Sequence, residues 1–520
     1  MVLHPDSGRC NAPGRNCLPP APANGRFARV QPATDARPRR DVFFALALAY
    51  MAVPGLIFLL GWVRPVFGVP AALIVVAAAC WLVSSSKLTA PRPALSRRLW
   101  LTIMALAALW TLIIGVGGIF PQSFDYLKHN LVFHDLITMA WPVNYASADG
   151  NHYLCYGLGY YLVPAAGGCL LGAGTVPGLT FLWTFAGLSL FFYWAATLTA
   201  SPVKTLVAIL LFATTGIVWL LFKRHGLPGL ISPDGLEMRL LNNGLFFNYN
   251  DSFTRFDYQP QHALAGWLGS ALMIERLWVR SSPRGVVLLW AACLLWSPLT
   301  CLGLLLVPLA TFRRVRWQDY FEPVNLLGGG VLVVIMGIYF QGHLALSESG
   351  FIWKFSNGPE WLYFYALFMV LTLSPLLFMT LFEQKYRVLG EWRPLFFTAA
   401  AALVLLPLYK IGFAGDLRLQ ASGPALLILA LAAVRILQSG RFSLKQPLCL
   451  LLAGSLLLGA VYPVTRPWIS LLSSRTDYSY ANTVQTTGAR TLAEVHVDKY
   501  DAAVQYLGRS DSLAARRLLR

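Results

Sequence analysis

Apolar residues in this 520-residue chain come in blocks about as long as a bilayer is thick. "DVFFALALAYMAVPGLIFLLGWV" (Asp41–Val63) is one block, and "LWLTIMALAALWTLIIGVGGIF" (Leu99–Phe120) is another. An α-helix rises about 1.5 Å per residue, so about 20 such residues cross about 30 Å of hydrocarbon. Inside hydrocarbon every backbone N–H and C=O must be satisfied within the protein, which leaves helices or closed barrels. The blocks are continuous rather than alternating, so they read as helices. With 57% hydrophobic and 12% charged residues, the chain has too little charge to cover a soluble surface of its size. The expected fold class is all-α: a polytopic transmembrane helical bundle of about 12 to 14 membrane segments with outer-face loops.

The formal net charge is +18. No basic stripe lies on a soluble domain, so nucleic acid is excluded as a partner, and the arginines read as topology signals. Arg37, Arg39 and Arg40 place the first helix's N-terminus in the cytoplasm. Lys87, Arg92, Arg97 and Arg98 mark the next inner loop, and Arg276, Arg280 and Arg284 a later one. The Ala-, Arg- and Leu-rich composition points to a bacterial source, and the expected localisation is a multi-pass protein of the bacterial cytoplasmic (inner) membrane, surrounded by membrane lipids. Residues 1–40, rich in Pro, Ala, Gly and Arg, read as a disordered basic cytoplasmic tail. Residues 41–464 read as the transmembrane domain, and 465–520 as a small extracytoplasmic C-terminal tail with an amphipathic helix at "DKYDAAVQYLGR". Arginines flank 286–312 at both ends, which predicts a hairpin of two short helices broken at Trp296–Ser297–Pro298, with a single span that violates the charge rule as the alternative.

This arrangement puts the polar elements outside: loops 121–152, 223–262 and 342–360, and the turn "KIGFAGDLRLQ". "SFDYLKHNLVFHDL" holds Asp125, Lys128, His129, His134 and Asp135 in an otherwise apolar chain. Asp125 and His129 are four apart and share a helical face. A carboxylate there could act as general base toward a hydroxyl, or could instead cap the helix that follows. Asp135, ten residues on, falls on roughly the same face, so the two carboxylates could share a site or hold a divalent metal, though no third carboxylate is local. Loop 223–262 supplies Lys223, Arg224, His225, Arg239, Arg255, Asp257 and His262. Arg255, Asp257, Gln259, Gln261 and His262 stand at the entry to a membrane helix, where unpaired N–H groups favour an anion. Lys410, Asp416 and Arg418 stand between two apolar helices, and the lysine's charge needs a partner there. The eight cysteines form no metal-binding or disulfide pattern, and no P-loop, GxGxxG, GxSxG or HExxH signature occurs, so no cofactor is indicated.

"SFDYLKHNLVFHDL", "WPVNYASADGNHYLCYGLGYYLVPA" and "GDLRLQASGPAL" together resemble the GT-C class of integral membrane glycosyltransferases, in a poorly characterised bacterial branch. The resemblance implies a GT-C-like bundle and an enzyme. It would move a sugar from a polyprenyl-phosphate carrier to a glycan or lipid acceptor at the outer face of the membrane. It also implies an Asp on an early outer loop as the base, here Asp125. That loop follows the third predicted helix rather than the first, which leaves Asp135 as the competing base. Lys128, His129, Arg255, Asp257, His262, Lys410, Asp416 and Arg418 would then bind the substrate. A transporter or flippase, or a polymerase, of lipid-linked surface polysaccharide is the alternative.

Overall fold

In the computed structural model, the described residues are 39–88, 95–123, 125–147, 150–214, 231–232, 235–239, 246–247, 249–344, 349–356, 358–412, 415–472, 488–489, 491–494 and 505–520. The tail 1–38, Lys223, Arg224 and His225 lie outside them, as does much of 465–520.

The chain forms an all-α helical bundle with small antiparallel sheets at its ends. Among the described residues, seven helices are long and apolar enough to cross a membrane: Val42–Gly61, Pro65–Ser85, Ala173–Thr197, Val324–Gln341, Gly390–Leu408, Asp416–Gln438 and Pro447–Thr465. The bent pair Glu360–Val370 and Ser374–Tyr386 makes an eighth if it counts as one span. Leu162–Leu171, Pro202–Leu211 and Pro298–Thr311 are shorter apolar helices. The chain is therefore a multi-pass membrane protein. Among the described residues fewer full spans form than the apolar blocks predict, because several blocks are divided. Leu162–Leu171 stops at Gly172, whose φ is +99°, and Leu373 separates two helices bent by 62°.

Contacts at the helix ends sort the loops to opposite ends of the bundle. Val42–Gly61 is a 20-residue helix, about 30 Å long. At its start, Asp41 caps the helix through Oδ1, which accepts from Phe44 N at 3.1 Å, while Oδ2 accepts from Arg280 at 3.1 Å. Arg280 also donates to Glu275, Arg284 to Glu322, and Arg276 to Ser86 Oγ at 3.2 Å. These residues form the basic end. At the other end of the same helix, Arg64 N donates to Leu518 O at 2.9 Å and Val63 bridges to Leu519. Strand Leu507–Arg509 pairs with Gly150–Leu154, which pairs with Asn144–Ser147, and Arg509 N donates to Gly342 O. The segments after the helices Val42–Gly61, Tyr126–Thr138 and Val324–Gln341 therefore meet the C-terminal segment at one end.

That strand corrects the sequence reading of "DKYDAAVQYLGR". Residues 498–504 lie outside the described set, and Leu507–Arg509 is extended rather than helical. Helical periodicity lost here to a ladder with a segment more than 350 residues away. Gly508 permits the pairing, since a Cβ there would lie 2.3 Å from the Tyr153 ring.

Residues 286–311 fold as a broken hairpin. Helix Val286–Leu294 ends before Ser297, whose Oγ accepts from Thr300 N at 3.2 Å and starts Pro298–Leu304. Trp290 Nε1 donates to Cys301 O at 2.8 Å. Eleven residues of continuous helix would separate these groups by about 16 Å, so the chain turns back on itself. Asn325 holds Pro283 O and Val287 N, which keeps the hairpin's entry at the basic end. The descending limb packs on Asp416–Gln438 so closely that a Cβ on Gly303 would lie 2.2 Å from Ala421 O. Gly303→Ala is expected to destabilise the protein by about 1–3 kcal/mol through overpacking against backbone, read as a lowered melting temperature in detergent.

Candidate functional site

One cavity of about 190 Å³ opens at the end of the bundle opposite the basic loops. Seven segments of the chain build it. The first is the helix Tyr126–Thr138 with Asp125 at its start. Gln122 and Ser123 fix the approach to that helix, donating to Gly115 O and to Asp257 O, each at 3.0 Å. Asp125 makes no side-chain cap, which removes capping as its role. Its Oδ1 instead meets Lys128 Nζ at 2.9 Å, and both side chains line the cavity. Burial disfavours the Lys128 charge, but Asp125 above all, with Tyr156 and Asp416 adding, outweighs it and raises the ammonium above its ordinary value. A single lysine thus faces two carboxylates.

The second carboxylate, Asp416, is the first residue of helix Asp416–Gln438. The turn before it needs glycine: Gly412 has φ +72°, and a Cβ there would lie 2.0 Å from Asp416 Oδ2. Ile411 and Gly412 line the cavity beside it. Tyr258, Gln259, Gln261 and His262 come from the junction of helices Ser252–Tyr258 and Pro260–Ile274. The tip of the broken hairpin, Pro298 and Leu299, supplies apolar lining together with Phe340. Gly157 allows that tip to approach, because a Cβ there would lie 2.4 Å from Trp296 O. His343, and Gln505 and Tyr506 of the C-terminal segment, complete the wall.

Several lining groups lack an internal partner. Gln259 Oε1, Gln261 Oε1 and His262 Nδ1 are buried without a hydrogen bond among the described residues. Gln261 Nε2 donates to Tyr156 OH at 2.9 Å, which points its amide oxygen the other way. Buried acceptors without donors carry a desolvation cost that a hydroxyl-bearing ligand would remove. The lining is therefore two carboxylates, one ammonium, neutral amides and phenols on an apolar base. Among the described residues no group of three or more His, Cys, Asp or Glu side chains is placed to hold a metal ion.

The sequence candidates divide. Asp125, Lys128, His129, His262 and Asp416 line the cavity, whereas Asp135, Arg255, Asp257, Lys410 and Arg418 do not. Asp135 lies ten residues along the helix from Asp125, a rise of about 15 Å, so the two carboxylates cannot share one site. Asp135 is fully buried and accepts from Tyr145 OH at 2.8 Å and Leu492 N at 2.9 Å, with His134 Nδ1 at 3.2 Å. It ties three segments together. Arg255 is buried and donates to Leu419 O and to Ser422 Oγ (2.9 Å), which fastens its short helix to the one that begins at Asp416. Asp257 is fully buried, and its carbonyl holds Ser123. Lys410 stacks over Phe355 with Nζ 4.7 Å from the ring centre, on the strand that pairs with Ser349–Phe351. Arg418 is buried against Gly415.

His129 faces the cavity but has no free nitrogen. Its Nε2 is 2.9 Å from Tyr258 O, which can only accept, so Nε2 carries the proton. Nδ1 then accepts from Tyr161 OH at 2.6 Å. Burial pushes this imidazole down to about 4, which matches a neutral ring used as a brace. Sequence reasoning missed Tyr156, Tyr258, His343, Gln420, Gln505 and Tyr506. Tyrosine and glutamine carry no charge anomaly, and His343 stands alone in its loop.

The chain shows no significant match to any family model, curated protein or solved structure.

Burial also lowers His343 to about 4. A histidine whose folded value lies below its unfolded value of about 6.5 binds fewer protons when folded. Stability from both histidines is thus complete above about pH 6.5 and is lost as pH falls toward 4. Melting temperature in detergent should drop across that window, and a double His129→Gln, His343→Gln variant should show a shallower drop.

Proposed function

We propose that the chain is a membrane glycosyltransferase of GT-C type. It moves a sugar from a polyprenyl-phosphate carrier to a glycan or lipid acceptor, with the cavity at the outer face of a bacterial cytoplasmic membrane. The observation that carries this reading is the lining: two carboxylates on one lysine, ringed by the unpartnered acceptors of Gln259 and Gln261. Sugar hydroxyls are donors that suit amide oxygens, and Tyr156, Tyr258 and Tyr506 offer faces for the apolar side of a sugar ring.

The reaction needs one base. The acceptor hydroxyl oxygen attacks the anomeric carbon, and the bond from that carbon to the carrier's phosphate oxygen breaks. The phosphate leaves with the electron pair, and Asp125 takes the hydroxyl proton. Lys128 supports this role because its ammonium lies 2.9 Å from Asp125 Oδ1 and holds that carboxylate at the cavity wall. With histidines neutral, the described lining residues sum to one positive and two negative charges, a net −1. That favours the neutral sugar over the phosphate, so this reading places the carrier phosphate beyond the cavity, toward Lys410. His129 and Arg255 act in this reading as positioning residues.

The expected outcome is measured on the surface glycan missing from a deletion strain. Asp125→Asn, at equal membrane level, should restore about 100-fold to 10,000-fold less product than the unaltered chain, the span of general-base contributions. Asp135→Asn should lower the amount of folded protein but leave activity per folded molecule near normal. Full restoration by Asp125→Asn would overturn Asp125 as the base.

A further inference from the structure

A second concavity, about 390 Å³, lies on the flank of the bundle away from the cavity. Phe67 and Ile74 of helix Pro65–Ser85 form one side, Val334 and Ile338 of helix Gly330–Gln341 the other, and Leu513 and Arg517 of the C-terminal segment close one end. Both helices belong to membrane spans, and Phe67 and Val334 are 50% and 61% exposed, so the groove faces hydrocarbon. Among the described residues Arg517 is the only charged one lining it. Around that end Arg64, Arg516, Arg517 and Arg520 have no acidic partner among the described residues, whereas Arg509 meets Asp511 Oδ1 at 3.7 Å. Arg64 donates to Leu519 O and Arg516 O, and Arg520 to Val63 O and Leu60 O. Residues 505–520 hold Arg509, Arg516, Arg517 and Arg520 against Asp511, a balance of four minus one, or +3.

We propose that this groove binds an anionic phospholipid, one acyl chain between the two helices and the phosphate on Arg517, and that the lipid fastens the C-terminal segment to the bundle. A guanidinium fits a phosphate through paired N–H groups, and a cluster of them at a span end concentrates anionic headgroups. Among the described residues the groove is lined by no amide, hydroxyl or carboxylate side chain that could read a sugar. It therefore recognises a chain and a phosphate, as bulk phospholipid supplies, rather than the lipid-linked substrate. The fastened segment matters to the cavity, because the same segment supplies Gln505 and Tyr506 to its wall and pairs Leu507–Arg509 with Gly150–Leu154. The site rests on membrane insertion alone and stands whether or not the chain transfers sugar.

The test is native mass spectrometry of the full chain, delipidated in detergent and titrated with phosphatidylglycerol, phosphatidylcholine, polyprenyl phosphate or inorganic phosphate. One phosphatidylglycerol should remain bound, more tightly than phosphatidylcholine. Arg517→Ala should weaken it about fivefold, the share of one basic side chain at a membrane surface. Val334→Trp, which fills the groove, should remove it while cooperative melting persists. Ile74→Trp serves the same purpose if Val334→Trp does not fold. Bound phosphatidylglycerol should also slow trypsin cleavage within 505–520. Equal binding of the two phospholipids would overturn the proposal, as would binding unchanged in these variants. Displacement of phosphatidylglycerol by equimolar polyprenyl phosphate would assign the groove to the carrier instead, and displacement by inorganic phosphate would reduce it to an anion site.

Discussion

Charge is costly in hydrocarbon, and the architecture follows from where this chain sends the little charge it has. The helical middles are apolar, so ionisable side chains collect at the two ends of the bundle. At one end they satisfy one another: Asp41 with Arg280, Glu275 with Arg280, Glu322 with Arg284. At the other end Asp125 and Asp416 share the field of Lys128 inside a cavity whose amides are not all matched. Saturated pairs make a scaffold, whereas a partly satisfied polar cluster facing a cavity is where a ligand finds its partners.

The cavity depends on contacts that hold its walls from behind. Ser123 on Asp257, Arg255 on Leu419 and Ser422, and Asp135 on Tyr145 and Leu492 each join segments far apart in sequence. The broken hairpin at Trp296–Ser297–Pro298 brings an apolar tip to the cavity, and glycines at 157 and 303 let it pack without side chains in the way. The C-terminal segment closes the remaining wall.

The apolar blocks, the membrane class and the broken hairpin were legible in the sequence, because each rests on local hydropathy, arginine placement or proline. Asp125, Lys128, His262 and Asp416 were legible as site candidates, because an ionisable group at the edge of an apolar helix is conspicuous. Asp135 and Arg255 were equally conspicuous and are structural ties, since their partners sit at Tyr145, Leu492, Leu419 and Ser422 and no local pattern announces such pairings. His129 kept its place at the cavity but not the substrate-binding role, because two oxygens from different helices occupy its nitrogens. The pairing of Leu507–Arg509 with Gly150–Leu154 is non-local, and no local pattern announces it.

The account turns on which side of the membrane the cavity faces, since lipid-linked donors are used outside and nucleotide-activated ones inside. The direct measurement is labelling of introduced cysteines in intact cells with a membrane-impermeant maleimide, in a background lacking Cys10, Cys17 and the exposed Cys80 and Cys169. Ser510→Cys reports the cavity end and Ser281→Cys the basic end, both at exposed positions. The account predicts that Ser510→Cys is labelled in intact cells and Ser281→Cys only after permeabilisation. The reverse pattern would place the cavity in the cytoplasm and contradict a polyprenyl-phosphate-dependent transfer at the outer face.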